Sequence, residues 1–207
     1  MTTPHDTALD AAATRPAQER GRRRRAALVR AAVGLLEEGG FTAVTHRAVA
    51  RRAGFPLAAT TYYFASRDQL VAESFALLVA GELDGMRARL QAVPDEGLTA
   101  PQELARTLTE AMGPGGEGDR LRQLGLWELY LQAGRDPALQ AIARDWTDGC
   151  DALVAGTLAR AGRPSGRDAA RMVGVLLAGL WMEHLVEARP GAAAETHALL
   201  TRALRAL

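Results

Sequence analysis

The chain has 207 residues, 48% of them hydrophobic but only 5% aromatic, so Ala, Leu and Val must build most of a core that could serve one large domain or two small ones. Ala and Leu favour helices, and no run of alternating β-branched residues is present, which excludes a sheet-based fold and makes the class all-α. The net charge of +1 hides a split: residues 1–67 hold 11 Arg against five acids and residues 68–207 hold 14 Arg against 19, so a polyanion partner is expected at one end only.

All 25 basic residues are Arg. The single cysteine, Cys150, excludes an internal disulfide and suits a reducing compartment. The first residues lack the apolar stretch of a signal peptide, and the longest unbroken apolar run, 172–182, falls short of the ~20 residues a membrane span requires. The expected setting is cytoplasmic, with no membrane partner.

Residues 1–20 mix Thr, Ala, Pro and charge without periodicity and are expected to form a disordered tail. A first helix should run from about Arg22 to Glu38, with Leu28, Ala31, Ala32, Leu35 and Leu36 as its apolar stripe and Gly39-Gly40 as its stop. A second should run from the N-cap Thr45 to Ala53, with Gly54 just beyond its end, and a third over about Leu57–Phe64. Ser66-Arg67-Asp68-Gln69 has the form of a capping box and opens a fourth helix, striped by Leu70, Ser74, Phe75, Leu78, Glu82 and Met86 and continuing to about Ala92.

Pro94 marks a loop, and Thr99-Ala100-Pro101-Gln102 reads as another capping box before a helix ending near Met112. The run 113–118 is read as a flexible loop. It matches a glycine-rich nucleotide fingerprint in form only, because no strand precedes it. Helices follow over about 119–134, 136–161 (Asp136 N-cap, Pro137 at its first position), 165–188 (opened by Ser165) and 192–206. About nine helices result, dividing into a head over 21–67 and a body over 68–207.

The second and third helices carry the chemistry of a DNA-reading helix-turn-helix. Ala50, Ala53 and Gly54 permit close approach of the two helices, and Phe55 and Phe64 anchor them. Thr60, Thr61, Tyr62 and Tyr63 stand where a buried helix would carry leucines, and are candidates for the major-groove face. Thr45, His46 and Arg47 lie at the start of the second helix, where backbone N–H groups favour a phosphate. Arg67 opens the fourth helix as a candidate backbone clamp. In the run Arg22–Arg25, Arg24 and Arg25 are candidate phosphate or minor-groove contacts. A surface hairpin with a tyrosine-rich packing face would share the helical pattern but not the charge split.

The stretch from Thr45 through Ala53-Gly54-Phe55 and Thr61-Tyr62-Tyr63-Phe64 to Ser66-Arg67-Asp68-Gln69-Leu70 resembles the TetR/AcrR family of transcriptional repressors. The likeness covers about residues 22–75. Thr61 stands where the family usually has its first Tyr, Tyr63 where it often has His, and Thr60 replaces a residue that is usually apolar and inward-facing. The resemblance implies a DNA-binding head on a ligand-binding and dimerising body, a palindromic double-stranded DNA operator, and pairing of the last two helices with their mates in a four-helix bundle.

In the body, Met112, Trp127, Tyr130, Trp146, Cys150, Met172 and Leu176 are candidate walls of an apolar pocket for a small effector, with Glu128, Tyr130 or His184 as a polar handle. Plain core packing accounts for any one of them equally simply. The helix over 165–188 is apolar on two sides, so one side can face the core and the other a second subunit. Leu177, Trp181 and Leu185 are assigned to that dimer seam. The four His lack metal-ligand spacing and no cofactor is implied. The competing function is a helical enzyme or small-molecule-binding protein with a vestigial DNA-binding head.

Overall fold

The computed structural model describes residues 5–113, 119–188 and 190–207, and among these it is entirely helix and turn. Nine α-helices follow one another: α1 His5–Ala43, α2 His46–Ala53, α3 Leu57–Tyr63, α4 Arg67–Gln91, α5 Pro101–Met112, α6 Asp119–Ala133, α7 Pro137–Arg160, α8 Arg167–Glu187 and α9 Ala192–Ala206, with a short 3-10 turn at Asp95–Leu98. The first four residues of the expected tail and residues 114–118 of the expected flexible loop lie outside the described residues.

The helix starts and stops follow from local chemistry. Thr45 accepts from the Ala48 N–H at 3.1 Å. Ser66 accepts from the Gln69 N–H at 3.1 Å while Gln69 Oε1 accepts from the Ala65 N–H, satisfying two orphan donors at once. Asp136 caps α7 through the Ala138 N–H. Gly54 adopts φ 71°, and the Phe55 N–H closes onto the Ala50 carbonyl, giving the tight turn between α2 and α3. Gly40, at φ 67° and ψ −167°, breaks α1 in a conformation open essentially to glycine alone.

Three local expectations are corrected. The helix that was to begin near Arg22 is carried back to His5, through residues expected to be disordered. Ala8 and Ala11–Ala13 are strong helix formers, and Glu19 accepts from both Arg22 and Arg23 one turn on. Thr99 does not cap α5: its hydroxyl donates back to the Glu96 carbonyl, and α5 begins after Ala100 with Pro101 in its first turn. Ser165 likewise does not cap α8, which opens after Gly166.

Two apolar clusters make the core. One joins Leu28, Leu36, Val49, Phe64, Leu70 and Phe75 to Leu129 and Leu139, so the core of the head continues into α6 and α7 without a break at residue 67. The other gathers Leu90, Leu104, Leu108, Val154, Leu158, Val173, Leu177 and Leu200 from α4, α5, α7, α8 and α9. The long helices α4 and α7 run through both. On α7 the apolar face changes allegiance along its length: Leu139, Ile142 and Trp146 pack on the first cluster and Leu153 on the second.

α6 is the cross-member. A Cβ at Gly125 would stand 2.8 Å from the Leu36 carbonyl oxygen, so glycine there lets α6 lie hard against α1. Arg122 reaches Glu37 of α1 at 3.2 Å and pairs closely with the buried Glu82 of α4. Arg120 donates to the Leu185 carbonyl at the end of α8.

Candidate functional site

Two sites are built on this frame, one on the head and one between the clusters. On the head, α3 turns Tyr62 fully outward, 82% exposed, with Thr61 beside it. The Tyr62 ring is set edge-on against Tyr63 at 4.9 Å, and Tyr63 leans toward α1 in a cleft with Gly21 and Arg25. Arg47 and the sequentially unremarked Arg51, one turn apart on α2, are exposed and have no ion pair among the described residues; neither has Arg24. These cations and the Tyr62 hydroxyl form a face whose donors can meet phosphates and base edges, while the Thr61 hydroxyl donates to the Ala58 carbonyl at 3.2 Å and presents its oxygen as an acceptor. The i, i+4 spacing of Arg47 and Arg51 is the signal by which Arg51 could have been found.

Four candidates of the head are placed differently from expectation. Thr60 is 0% exposed, with its hydroxyl donating to the Leu57 carbonyl at 2.7 Å, so it takes the inward position and is removed from the DNA face. Its methyl fills the apolar site and its own helix satisfies its oxygen. Arg25 pairs with Glu73 of α4 at 2.6 Å and lies over the Phe64 ring. His46 is half-buried with Nδ1 enclosed. Arg67 points inward: it donates to the Val44 carbonyl at 2.7 Å and the Phe41 carbonyl at 2.6 Å, with its guanidinium stacked 4.3 Å from the Phe41 ring centroid. A planar fork of donors is suited to hold two carbonyls at a chain reversal, and these bonds assign the guanidinium a structural role within the head.

The Phe41 peptide is held from its other side too. Its N–H donates to Glu128 of α6 at 2.9 Å. A Cβ on Gly40 would meet the same carboxylate at 2.3 Å, so both the backbone angle and the space demand glycine. Glu128 therefore does not serve the body as a polar handle; it is the body's grip on the head. A second tie, Arg52 of α2 to Glu38 of α1 through two bonds of 2.6 and 2.7 Å, holds the Glu38 carboxyl below its usual range through those hydrogen bonds. Gly34 gives the Arg52 side chain room to cross α1.

The second site is a cavity of about 350 Å³ between the two clusters, walled by α4 to α8. Of the residues singled out in the sequence it brings together Met112, Trp127, Tyr130, Trp146 and Cys150. Trp181, Leu177 and Met182 of α8 close it, with Met86 at its floor. Tyr130 shares a hydrogen bond of 3.2 Å with Thr147, and Trp181 Nε1 is enclosed with no partner. Trp181 stacks edge-on with His184, which is not in the wall. Gly113 makes room for the Trp181 ring. Burial, with the neighbouring Asp151 charge second, pushes the Cys150 thiol up to about 12, so it stands as a neutral thiol and is no nucleophile.

The two faces of α8 are exchanged relative to expectation. Leu177 and Leu185, assigned to a dimer seam, are 2% and 3% exposed within the single chain, and Trp181 packs against the second cluster and the cavity. Met172, assigned to the pocket, is turned outward, Val175 is half-exposed at the edge of the cavity, and Leu176 packs beside the second cluster without reaching the cavity. Both stripes are apolar, so composition along the helix is symmetrical between them; the packing against α7 and α9 decides which goes inside. Among the described residues α8 is long and apolar enough to cross a membrane, yet only 22% of its apolar window is buried in the chain. Among the same residues no group of His, Cys, Asp and Glu could hold a metal ion.

Residues 28–74 match the family model described as bacterial regulatory proteins, tetR family, and residues 99–206 match the model described as tetracyclin repressor-like, C-terminal domain. No curated protein matches the chain. Among solved structures it is similar to the multidrug binding protein EbrR complexed with ethidium, at 32% identity over 87% of this chain and 98% of that one, with a TM-score of 0.66. It is similar to a member of the TetR family from Streptomyces coelicolor A3, at 32% identity over 87% and 98% of the two chains, with a TM-score of 0.64. A transcriptional regulator from Streptomyces coelicolor A3(2), 23% identical over 88% and 98% with a TM-score of 0.70, shares the fold.

Replacing Arg67 tests its inward role. Arg67→Ala should destabilise the chain by about 2–3 kcal/mol, the loss of charge-assisted bonds to two carbonyls and a stacked ring. Urea denaturation measures this; an unchanged midpoint would return Arg67 to the list of phosphate contacts.

Proposed function

Because the chain belongs to the TetR family of bacterial transcriptional regulators, we propose that it acts as a homodimeric repressor, released from a palindromic operator when a small aromatic molecule fills the cavity. The observation that carries this reading is the double duty of α6. Trp127 and Tyr130 stand on the cavity wall, and Glu128 between them holds the backbone at the corner of α1 and α2. Anything that displaces α6 acts on the head. EbrR, complexed with ethidium and with proflavin, is a similar chain whose bound molecules are aromatic, and three tryptophans in this cavity suit the same kind of guest. No catalysis and no cofactor enters the proposal, and the setting is the cytoplasm, where DNA lies.

Each subunit would lay α3 in a major groove, with Thr61 and Tyr62 toward base edges and Arg24, Arg47 and Arg51 toward phosphates. Two such heads read half-sites about one helical turn, roughly 34–36 Å, apart. The seam between subunits is the outward part of α8 that the cavity does not use, Met172 and Val186 (48% and 65% exposed), together with α9. Glu183 interrupts this face and Arg171 lies at its border, which favours a protein partner over lipid. A second copy supplies the cover that so much exposed apolar surface calls for.

Arg47→Ala and Arg51→Ala should weaken binding to operator and random DNA alike, each lowering the log–log salt slope by about 0.9 and leaving stability unchanged. Thr61→Ala should instead change which site is recovered from a random DNA library. An unaltered salt slope would take the two arginines off the interface.

Met172→Arg should convert dimer to folded monomer in sedimentation, whereas Leu177→Arg should prevent folding, since a charge at a 2%-exposed core position has no partner. A dimer persisting in Met172→Arg would move the seam elsewhere.

A further inference from the structure

Among the described residues Asp151 is the one acidic side chain in the cavity wall, and its Oδ1 is enclosed without a hydrogen bond. The cation beside it, Nη1 of Arg171, stands 3.6 Å away, an ion-pair distance beyond hydrogen-bonding reach. The two members of this pair are unequally placed: the Asp151 side chain is 21% exposed and that of Arg171 is 51% exposed, so the acid is set inside and the base half in solvent. An enclosed carboxylate oxygen without a hydrogen bond costs free energy until a cation or donor meets it.

The surroundings are arranged for that carboxylate. On the facing helix α8, a Cβ at Gly174 would lie 2.8 Å from Asp151 Oδ1, so glycine there leaves room for it. The same wall carries Trp127, Tyr130, Trp146 and Trp181, aromatic rings of the kind whose faces attract positive charge. The negative charge of Asp151 is felt along the wall, where it helps push up the Cys150 thiol. Among the described residues Arg171 is the only basic group in the wall, and its flexible stem can carry its head into solvent.

We propose that the effector is an aromatic cation, that Asp151 is its counter-ion, and that Arg171 moves out to solvent when it binds. This rests on the cavity being the effector site and adds the charge of the guest and the residue that selects it. An aromatic anion could pair with Arg171, but inside the cavity it would face Asp151 and the negative ring faces together.

The test uses three planar probes of one ring size, titrated into the full-length dimer by tryptophan quenching at mildly alkaline pH: N-methylacridinium (cationic), acridine (neutral there) and 9-anthracenecarboxylate (anionic). Wild type should bind the cation about ten-fold tighter than acridine, the gain of one charge-assisted contact, and the anion most weakly. Asp151→Asn should bring the cation down to the affinity of acridine. Arg171→Gln, at a half-exposed position, should tighten the cation further in a chain with unchanged melting. Equal affinities in wild type, a preference surviving Asp151→Asn in a chain with unchanged melting, or tightest binding of the carboxylate would overturn the inference while leaving the cavity as the effector site. Binding of none of the three would overturn the cavity reading and the inference with it.

Discussion

The peptide at Phe41 is the point on which the regulatory architecture turns. Its N–H is held by Glu128 from the body and its carbonyl by Arg67 from the first turn of α4, with Gly40 supplying a backbone conformation that no side chain could share. This corner fixes the angle between α1 and the reading helices α2 and α3. Glu128 shares a helix with two aromatic walls of the cavity, and the proposed release runs through that one element, from the cavity's contents to the corner's geometry. Coupling of this kind is reciprocal: a guest that weakens DNA binding must itself bind less tightly to the DNA-bound form.

The scarcity of aromatic residues makes their placement informative. The chain has three Trp, and all three line the cavity; two of its three Tyr lie on the outer part of α3 and the third faces the cavity. Leu, Val and Ala fill the two clusters on either side. A cavity persists between the clusters because large flat rings from three helices meet there and small residues, Gly174 and Gly113 among them, give way to their neighbours. Apolar rings around one enclosed carboxylate make the cavity selective as well as adhesive.

What could be read from the sequence was local. Thr45, Ser66 and Asp136 cap where their spacing said they would, and the stripes of α1 and α4 go inside, because caps and amphipathic faces involve residues within a turn or two. The body's walls at Trp127, Tyr130, Trp146 and Cys150 were also legible, as large side chains at helical spacing. What escaped depends on partners far along the chain. Arg67 looks like a phosphate clamp until the carbonyls of residues 41 and 44 are brought to it. The two apolar stripes of α8 are equivalent in composition, so only the packing of α7 and α9 distinguishes seam from core. Asp151 sits among polar residues of α7 and gains its meaning from Gly174 and Arg171 on the facing helix.

The central claim is that filling the cavity moves the heads. The most direct measurement is the distance between the two heads, from spin labels at Arg30→Cys on exposed α1 in a Cys150→Ala dimer, with N-methylacridinium occupancy verified by tryptophan quenching. The account predicts that the guest displaces the distance distribution from that of the DNA-bound dimer, and that Glu128→Ala suppresses the displacement. The same distribution with the cavity empty and filled would contradict it.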